Sequence, residues 1–379
     1  MTRALRVALV SYYSHMEVGL GTYARGLLAG IETLDCPHRF TAVTPRPRLT
    51  GFERVDTITL PVPVPPLTPG LPLIYWDQLA AWSAVKLMRP DIVHWLQPRT
   101  SLVPAARRTV MTLADAIPWA DARYGRALEH GYARTYAGMA RRADMVITIS
   151  HHAAHDIAER LRIDKERIVV THLAAEPAID DAAARPLVDQ PYVLFVGGSD
   201  RRKNGVRTIQ AFARATLPDA VRLVVVGWLR PAGDDHDDLA ACVAALPAAT
   251  RERIVLLDHV DDAQLNALYR AATVCAFPSL YEGFGLPVLE AMQRGVPVIT
   301  SATTSLPEVA GDAAKLIDPT DVDALTRALE ELVGDPRRRA DLAERGLAQA
   351  KTFTWEATAA ATVAAYERLV GEAPSARLQ

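Results

Sequence analysis

Short apolar runs alternate with helix-length segments along most of the chain, and this alternation restricts the fold more than any other feature. The runs lie at residues 5–10, 39–44, 55–60, 91–95, 108–113, 145–149 and 168–171, and then at 192–196, 222–226, 254–257, 274–277, 298–300 and 315–317. Apolar strands separated by helices are typical of parallel sheets that are covered on both faces. The sequence therefore predicts an α/β protein built on parallel sheets.

The length of 379 residues exceeds one ordinary core and suits two domains of about 150 to 200 residues each. Residues 174–191 are rich in Ala, Asp and Pro and are predicted to be the linker, whereas the proline-rich residues 61–72 are predicted to be a loop. We expect a first domain at residues 1–180 and a second at residues 190–358.

One stretch of the second half combines a strand end, a glycine loop and a helix start. The apolar run Val274–Phe277 is followed by Pro-Ser-Leu-Tyr-Glu-Gly-Phe-Gly-Leu-Pro, and Pro287 suits the first position of a helix. Gly283 and Gly285 leave the backbone open at the positive end of this helix, where unpaired N–H groups collect. The stretch is therefore predicted to hold a diphosphate.

Two carboxylates flank this loop, Glu282 within it and Glu290, expected in the first helical turn. Carboxylates accept hydrogen bonds from neighbouring hydroxyls, so one could hold a sugar and the other a ribose. The simpler interpretation is that Glu290 complements the helix dipole and that Glu282 is a solvated loop acid. From position alone, both interpretations stay open.

Glu282 to Glu290, with Ala291 and Met292 after it, resembles the E-x7-E signature of retaining glycosyltransferases of family 4, a mannosyltransferase-like group with the GT-B architecture. The resemblance implies two Rossmann-like domains that face each other across a cleft. It also implies a C-terminal helix, at about residues 360–379, that crosses back to the first domain.

Further positions match the family's pattern. Arg202-Lys203-Asn204, after the glycine turn at Gly197 and Gly198, matches a basic pair that in the family neutralises the departing diphosphate. The resemblance implies four catalytic residues, namely Arg202, Lys203, Glu282 and Asp115. It implies donor-binding roles for Gly19, Gly21, Gly198, Ser199, Asn204, Val260, Gly283, Phe284, Gly285, Leu286, Pro287 and Glu290.

The chain departs from the family at Ala114, where relatives commonly carry the histidine of a His-Asp pair that contacts the transferred sugar. Asp115 is kept. His15 and His94 follow other strands of the same sheet and could substitute for it, although an ordinary partly buried histidine is the simpler interpretation of each. Thr22 is a candidate N-cap for the helix that follows Gly19 and Gly21.

The resemblance makes a metal-independent transfer the expected reaction, with mannose moved from GDP-mannose to a hydroxyl of a saccharide, lipid-linked or small-molecule acceptor. No cofactor beyond this co-substrate and no metal are expected, and Asp234, Asp235, Asp237 and Asp238 are interpreted as loop acids and helix-start charges. A non-catalytic nucleotide-sugar binder or scaffold subunit of a glycan-assembly complex is the alternative that Ala114 suggests. A dinucleotide-dependent dehydrogenase is disfavoured, because the first glycine turn lacks G-x-G-x-x-G.

Composition restricts the partners and the location. The formal net charge is −2 and no strong basic stripe occurs, which argues against a nucleic-acid binder. The three cysteines show no C-x-x-C pairing, and no apolar run approaches a signal h-region or a membrane span, so a cytoplasmic protein is expected. Arginines 123, 126, 134, 141 and 142 leave a weak peripheral membrane contact open, and the oligomeric state is not predicted.

Overall fold

The computed structural model describes residues 3–14, 19–46, 52–61, 74–120, 132–176, 187–229 and 236–371. These residues divide into two compact units, one within Met1–Ala174 and Thr354–Gln379 and the other within Ala175–Phe353. Each unit is built around its own parallel sheet, which confirms the predicted fold class of two parallel-sheet α/β domains.

The first unit begins with the strands β1 (Arg6–Val10), β2 (Arg39–Thr44), β3 (Val55–Thr59), β4 (Ile92–Trp95), β5 (Arg108–Thr112), β6 (Met145–Thr148) and β7 (Ile168–Val170). Its helices are α1 (Leu20–Thr33), a π-helical segment (Trp76–Ala81) that continues into α2 (Trp82–Met88), α3 (Ile117–Ala120), α4 (Tyr132–Arg142) and α5 (His151–Leu161). In the described part of the unit, the strands form one parallel sheet in the order β3-β2-β1-β4-β5-β6-β7.

The second unit has the strands β8 (Tyr192–Val196), β9 (Arg222–Val226), β10 (Ile254–Leu257), β11 (Val274–Phe277), β12 (Val298–Ser301) and β13 (Ala314–Ile317). Its helices are α6 (Gly205–Arg214), α7 (Leu239–Ala244), α8 (Ala248–Arg251), α9 (Asp262–Ala271), α10 (Leu286–Gln293), α11 (Leu306–Ala310), α12 (Val322–Gly334) and α13 (Pro336–Ala350). The described strands form a parallel sheet in the order β10-β9-β8-β11-β12-β13.

Several strands of both sheets are buried along their whole length. All four residues of β4, β6, β11 and β12 are buried, which explains why these strands appear in the sequence as continuous apolar runs. In the second unit, Phe195, Phe212 and Leu329 belong to one core cluster that joins β8 to α6 and α12.

The last helix, α14 (Trp355–Gly371), packs on α1 within the first unit. Gly26 and Gly30 lie one turn apart on α1, and a Cβ at either position would overlap Trp355. Tyr366 places its hydroxyl 2.6 Å from Nδ1 of the buried His94, so a polar contact as well as packing fixes this helix on the unit.

Two helix starts differ from the sequence-based expectation. Thr22 is not an N-cap, because α1 already begins at Leu20 and Gly19 occupies the cap position with a φ of 62°. Pro287 lies at the second position of α10, which begins at Leu286. In both cases a glycine in the left-handed region starts the helix earlier than the side-chain pattern indicates.

Among the described residues, no helix has both the length and the hydropathy that crossing a bilayer would require.

Candidate functional site

The candidate site lies at the carboxyl end of the second unit's sheet. β8 has β9 on one side and β11 on the other, so the strand order reverses at β8. In open parallel sheets, ligands bind outside the carboxyl ends of the strands at such a reversal. The loops that follow β8 and β11 are the two glycine loops that the sequence singles out.

The loop after β8 is shaped by Gly198 and by a short 3-10 turn. Gly198 has a φ of 55°, and a Cβ there would overlap the backbone of Trp228, which follows β9. The neighbouring Ser199 donates its N–H to the Trp228 carbonyl at 2.8 Å. Asp200 then accepts from the Arg202 N–H at 2.9 Å and opens the turn Arg201–Lys203. This turn presents Arg202 and Lys203 at the sheet end.

Asn204 follows the turn Arg201–Lys203 and contacts both glycine loops. It occupies the N-cap position of α6 in the left-handed conformation, with a φ of 71°, and its side chain makes no capping hydrogen bond. Its amide instead donates to the carbonyls of Pro278 at 2.9 Å and Pro319 at 2.7 Å. The residue therefore ties the two glycine loops together.

Arg202 and Lys203 converge on a single carboxylate oxygen. Oε1 of Glu282 accepts from Lys203 Nζ at 2.7 Å and from Arg202 Nη1 at 2.8 Å. The hydroxyl of Ser279 donates to the same oxygen at 2.7 Å. Arg202 also donates through Nη2 to Asp200 at 2.8 Å. The contacts fix both cations before any ligand arrives.

The cluster is largely buried, since Glu282 is 7% exposed. Burial would raise the pKa of Glu282, but the charges of Lys203 and Arg202 together with hydrogen bonds hold that pKa below its ordinary value. Burial lowers the pKa of Lys203, and the charge of Glu282 opposes this only in part. Glu282 is therefore ionised. Burying the positive charge of Lys203 costs free energy, and a further anion nearby would reduce that cost.

The loop after β11 is held from behind by Ser305. Its hydroxyl contacts the carbonyl of Glu282 at 2.9 Å and that of Phe284 at 2.7 Å. Gly285 has a φ of 118°, and a Cβ there would lie 2.6 Å from Leu306. Phe284 is buried against Phe353, with ring centroids 5.6 Å apart. Gly283 to Pro287 therefore form a fixed entry to α10.

Glu290 lies beyond the first turn of α10, as the fifth residue of the helix, and this corrects the expected position. Tyr269 of α9 donates its hydroxyl to Oε2 of Glu290 at 2.9 Å. Burial raises the pKa of Glu290, and the Tyr269 hydrogen bond and the Arg294 charge oppose the rise. The carboxylate is held at the same end of the sheet as the two glycine loops.

The first unit carries three of the candidate residues, Gly19, Gly21 and Asp115. Gly19 is the exposed N-cap of α1, and Gly21 lies buried inside that helix. Asp115 accepts from the Ile117 N–H at 2.9 Å, where α3 starts, and Ala114 accepts from the Thr148 hydroxyl at 3.1 Å.

His94 does not fit the role of a substitute for the missing histidine. It is fully buried between the hydroxyls of Tyr366 and Thr112, at 2.6 and 2.8 Å, and burial lowers its pKa to about 3. The simpler interpretation, an ordinary buried histidine, describes it. His15 lies outside the described residues.

The remaining predictions concern surface charges. Asp238 caps α7 through the Ala241 N–H, and Asp237 pairs with Arg201 at 2.9 Å, whereas Asp234 and Asp235 lie outside the described residues. Arg141 and Arg142 donate to backbone carbonyls, while Arg123 and Arg126 lie outside the described part of the chain. Val260 is partly buried, three residues after β10 ends.

Sequence reasoning missed four residues that shape the site, Asp200, Ser279, Tyr269 and Arg294. Asp200 and Ser279 lie inside the two glycine loops and could have been found as hydrogen-bonding neighbours of the cations and of Glu282. Tyr269 precedes Glu290 by 21 residues, so no local pattern relates the two.

Comparisons with known proteins agree with this geometry. A family model described as Glycosyltransferase Family 4 matches residues 19–178, and one described as Glycosyl transferases group 1 matches residues 179–349. The chain is 37% identical over 239 residues to O-antigen chain mannosyltransferase B of Escherichia coli. That alignment covers 60% of this chain and 61% of the relative.

A second relative is the MMP alpha-(1->4)-mannosyltransferase of Mycolicibacterium hassiacum, 30% identical over 246 residues, which are 64% of this chain and 58% of the relative. The matches thus span about three fifths of the length of these relatives.

Solved structures share the fold. Sucrose-phosphate synthase from Thermosynechococcus elongatus superposes with a TM-score of 0.71 at 22% identity, over 97% of this chain and 100% of that chain. WaaG, a glycosyltransferase involved in lipopolysaccharide biosynthesis, gives 0.69 at 21% identity, over 94% and 99%. Anabaena HepE in complex with UDP-glucose gives 0.69 at 15% identity, over 96% and 100%. Together, the two family models, the mannosyltransferase relatives and the shared GT-B fold show that this chain belongs to the family 4 glycosyltransferases.

Proposed function

We propose that the protein is a retaining, metal-independent mannosyltransferase that uses GDP-mannose and glycosylates a hydroxyl of a saccharide, lipid-linked or small-molecule acceptor. The observation that carries the proposal is the convergence of Arg202 and Lys203 on one oxygen of Glu282 between two glycine loops. Two preorganised cations at a sheet end suit a leaving group that gains negative charge as its bond to the sugar breaks.

The donor class follows from the parts of the second unit. The diphosphate would lie against the Gly198 loop and the entry of α10, where glycines leave the backbone accessible and the helix dipole favours an anion. Glu290 would accept hydrogen bonds from the ribose hydroxyls, and the backbone at Val260 would face the base. A structural neighbour, HepE, was solved with UDP-glucose, which supports a nucleotide sugar as the donor.

Mannose is proposed because the first relatives are named mannosyltransferases, at 37% and 30% identity. GDP is the nucleotide proposed with it. The acceptor determinants are assigned to the first unit, which also carries Asp115 as a proposed catalytic residue and Gly19 and Gly21 as proposed donor-binding residues. The free cysteines 36, 242 and 275 suit a reducing compartment, so we place the reaction in the cytoplasm.

In the proposed mechanism the acceptor hydroxyl attacks the anomeric carbon from the face that the diphosphate leaves. The departing phosphate oxygen accepts the hydroxyl proton, so no separate strong base is needed. A mechanism without a separate base is compatible with Ala114, because the imidazole that is missing there would contact the sugar and would not remove the proton. Arg202 and Lys203 stabilise the developing phosphate charge, and Glu282 holds both cations and accepts hydrogen bonds from the transferred sugar.

The test is a panel of nucleotide sugars assayed first for binding by thermal shift and then for turnover without an acceptor. A ligand that binds the native state raises its stability by RT ln(1 + [L]/Kd), so the true donor gives the largest shift. A transferase is expected to leak some transfer to water. Binding without any hydrolysis or transfer would instead support a non-catalytic nucleotide-sugar binder.

Metal independence is tested separately, by removing divalent ions. Because two side-chain cations neutralise the leaving group, we expect EDTA to leave the turnover rate unchanged. The anomeric configuration of the product, read by NMR, should equal that of the donor. A rate that EDTA abolishes and that magnesium or manganese restores would contradict the assigned role of Arg202 and Lys203.

A further inference from the structure

Glu290 is held by a set of contacts between α9 and α10. Tyr269 donates its hydroxyl to Oε2 of Glu290 at 2.9 Å. Arg294 donates through Nη1 to the Glu290 carbonyl at 2.9 Å and through Nε to Asn266 at 2.7 Å. Its guanidinium carbon lies 5.4 Å from the centroid of the Tyr269 ring. Asn266 and Tyr269 are three residues apart on α9, so one face of this helix supports Glu290.

Tyr269 is suited to act as a fixed donor. It is 1% exposed, and burial together with the charge of Glu290 raises its pKa well above the ordinary value, so the hydroxyl stays protonated. Among the described side chains, it is the one that donates a hydrogen bond to the Glu290 carboxylate. Because this bond uses Oε2, Oε1 is the oxygen that can accept from a ligand.

The surroundings of Glu290 disfavour its charged form, so a hydrogen-bond donor that stabilises this form helps to keep the carboxylate ionised. Burial raises the pKa of Glu290, and the charge of Glu176 raises it further, while Tyr269, Arg294 and Lys203 oppose the rise. Burial and the charge of Glu290 raise the pKa of the Cys275 thiol on β11 to about 12. A carboxyl group in this position would lose its ribose contact if it became neutral or rotated away.

We propose that Tyr269 is a positioning residue for nucleotide binding: its hydroxyl holds Glu290 oriented and ionised so that Oε1 accepts from the ribose hydroxyls of the donor. The proposal rests on the donor site proposed above. It adds a residue outside the glycine loops, on a helix that no sequence motif marks.

The test compares GDP and UDP with their 2′,3′-dideoxy forms by calorimetry, on the full chain. Wild-type protein should bind the ribonucleotide more tightly than its dideoxy form. Tyr269→Phe should weaken ribonucleotide binding about tenfold, as expected for the loss of a hydrogen bond to a charged group. It should leave dideoxynucleotide binding unchanged, because the effect passes through the ribose hydroxyls.

Tyr192 provides a matched control. Its buried hydroxyl donates to the Leu268 carbonyl at 2.6 Å, on the same helix as Tyr269. Tyr192→Phe therefore removes an equivalent hydroxyl from the support of α9 without touching Glu290. An equal loss of ribonucleotide affinity in Tyr192→Phe, or an equal loss for both nucleotide forms in Tyr269→Phe, would overturn the proposal in favour of a purely structural role.

The pH profile and a double-mutant cycle separate the inference from the proposed function. Removing the hydroxyl removes a donor to the charged form, so the pKa of Glu290 should rise in Tyr269→Phe. Affinity should then fall at a higher pH than in the wild type as the solution is acidified. In a Glu290→Gln background, Tyr269→Phe should have no further effect.

Wild-type protein without any preference for ribose hydroxyls would overturn the donor site and this inference together. A preserved preference with an unaffected Tyr269→Phe overturns the inference alone.

Discussion

The carboxyl ends of the two sheets each carry a buried arginine–carboxylate contact. The two contacts differ in the number of cations that share one carboxylate oxygen. In the first unit, Asp77 accepts from Arg99 Nε at 2.6 Å through one oxygen and from Gln97 at 2.8 Å through the other. In the second unit, Arg202 and Lys203 share one oxygen of Glu282. The first contact pairs one cation with one anion, whereas the second places two cations on one acceptor atom.

The pKa shifts follow this difference. Burial alone would lower the pKa of Arg99, yet the charge and hydrogen bond of Asp77 raise it above its ordinary value. Burial lowers the pKa of Lys203, and the opposing charge of Glu282 does not restore it. In the first unit the cation is therefore the stabilised partner, and burial instead raises the pKa of Asp77. In the second unit the carboxylate is the stabilised partner and burial disfavours the charge of Lys203, so this cluster gains from an additional anion. A buried ion pair here is suited to binding an anion where the charge that burial disfavours belongs to the cation.

The largest expected effect is on the free energy of unfolding, at the pair formed by Asp77 and Arg99. Asp77→Ala would leave the buried Arg99 charge without its partner, and breaking such a pair costs about 3–5 kcal/mol of unfolding free energy. Asp77 is 1% exposed and Arg99 6% exposed, so water cannot replace the lost contact without rearrangement. Chemical denaturation followed by circular dichroism measures the change.

Asp35→Ala is the control for this prediction, because Asp35 forms a surface pair with Arg54 at 3.9 Å in which Asp35 itself is fully exposed. Exposed pairs contribute roughly 0–1 kcal/mol, so this variant should unfold close to the wild type. If Asp77→Ala and Asp35→Ala had the same midpoint, the structural role assigned to the first cluster would be wrong.

The next largest effect is on turnover, at the cluster of Arg202, Lys203 and Glu282. Lys203→Ala should lower kcat by a factor that corresponds to about 3–4 kcal/mol, the cost of losing one preorganised donor to a developing charge. GDP affinity should change much less, because Arg202 remains. Lys315→Ala is the matched control, since Lys315 belongs to the same unit and pairs at the surface with Glu331. Wild-type kcat in Lys203→Ala would remove this residue from the mechanism.

Most of the fold could be predicted from the sequence because the strands are buried on both faces. Such strands are continuous apolar runs whose positions need no partner information, and β8, β9, β10 and β11 have the predicted bounds. The exact helix starts at Gly19 and Gly285 were not predicted. They depend on backbone conformations that the side-chain pattern does not encode.

The site was predictable only where its residues are close in sequence. The spacing of Glu282 and Glu290 and the order Arg202-Lys203-Asn204 are local patterns, so both could be recognised from the sequence without knowledge of the sheet order. The contact of Lys203 with Glu282 spans 79 residues and that of Tyr269 with Glu290 spans 21, and both depend on the sheet order. Asn204 shows the limit clearly, because its residue type suggests a helix cap and its actual partners are two distant carbonyls.

The smallest expected effect, and the most informative one, concerns Glu282. Glu282→Gln removes the negative charge that Arg202 and Lys203 share and leaves their charges less compensated. The cluster then gains one unit of positive charge, so affinity for free GDP should stay equal or rise. Transfer should fall by the equivalent of roughly 1.5–3 kcal/mol, because the amide replaces one acceptor of sugar hydroxyls with a donor and no longer fixes both cations. Glu290→Gln is the matched comparison, since it should weaken the binding of GDP and of the intact donor by a similar factor through the ribose they share.

Calorimetry with GDP and a non-hydrolysable donor, alongside kcat for both variants, measures these effects. Equal losses of GDP affinity in the two variants would contradict the division of roles, because GDP contains the ribose assigned to Glu290 and lacks the sugar assigned to Glu282.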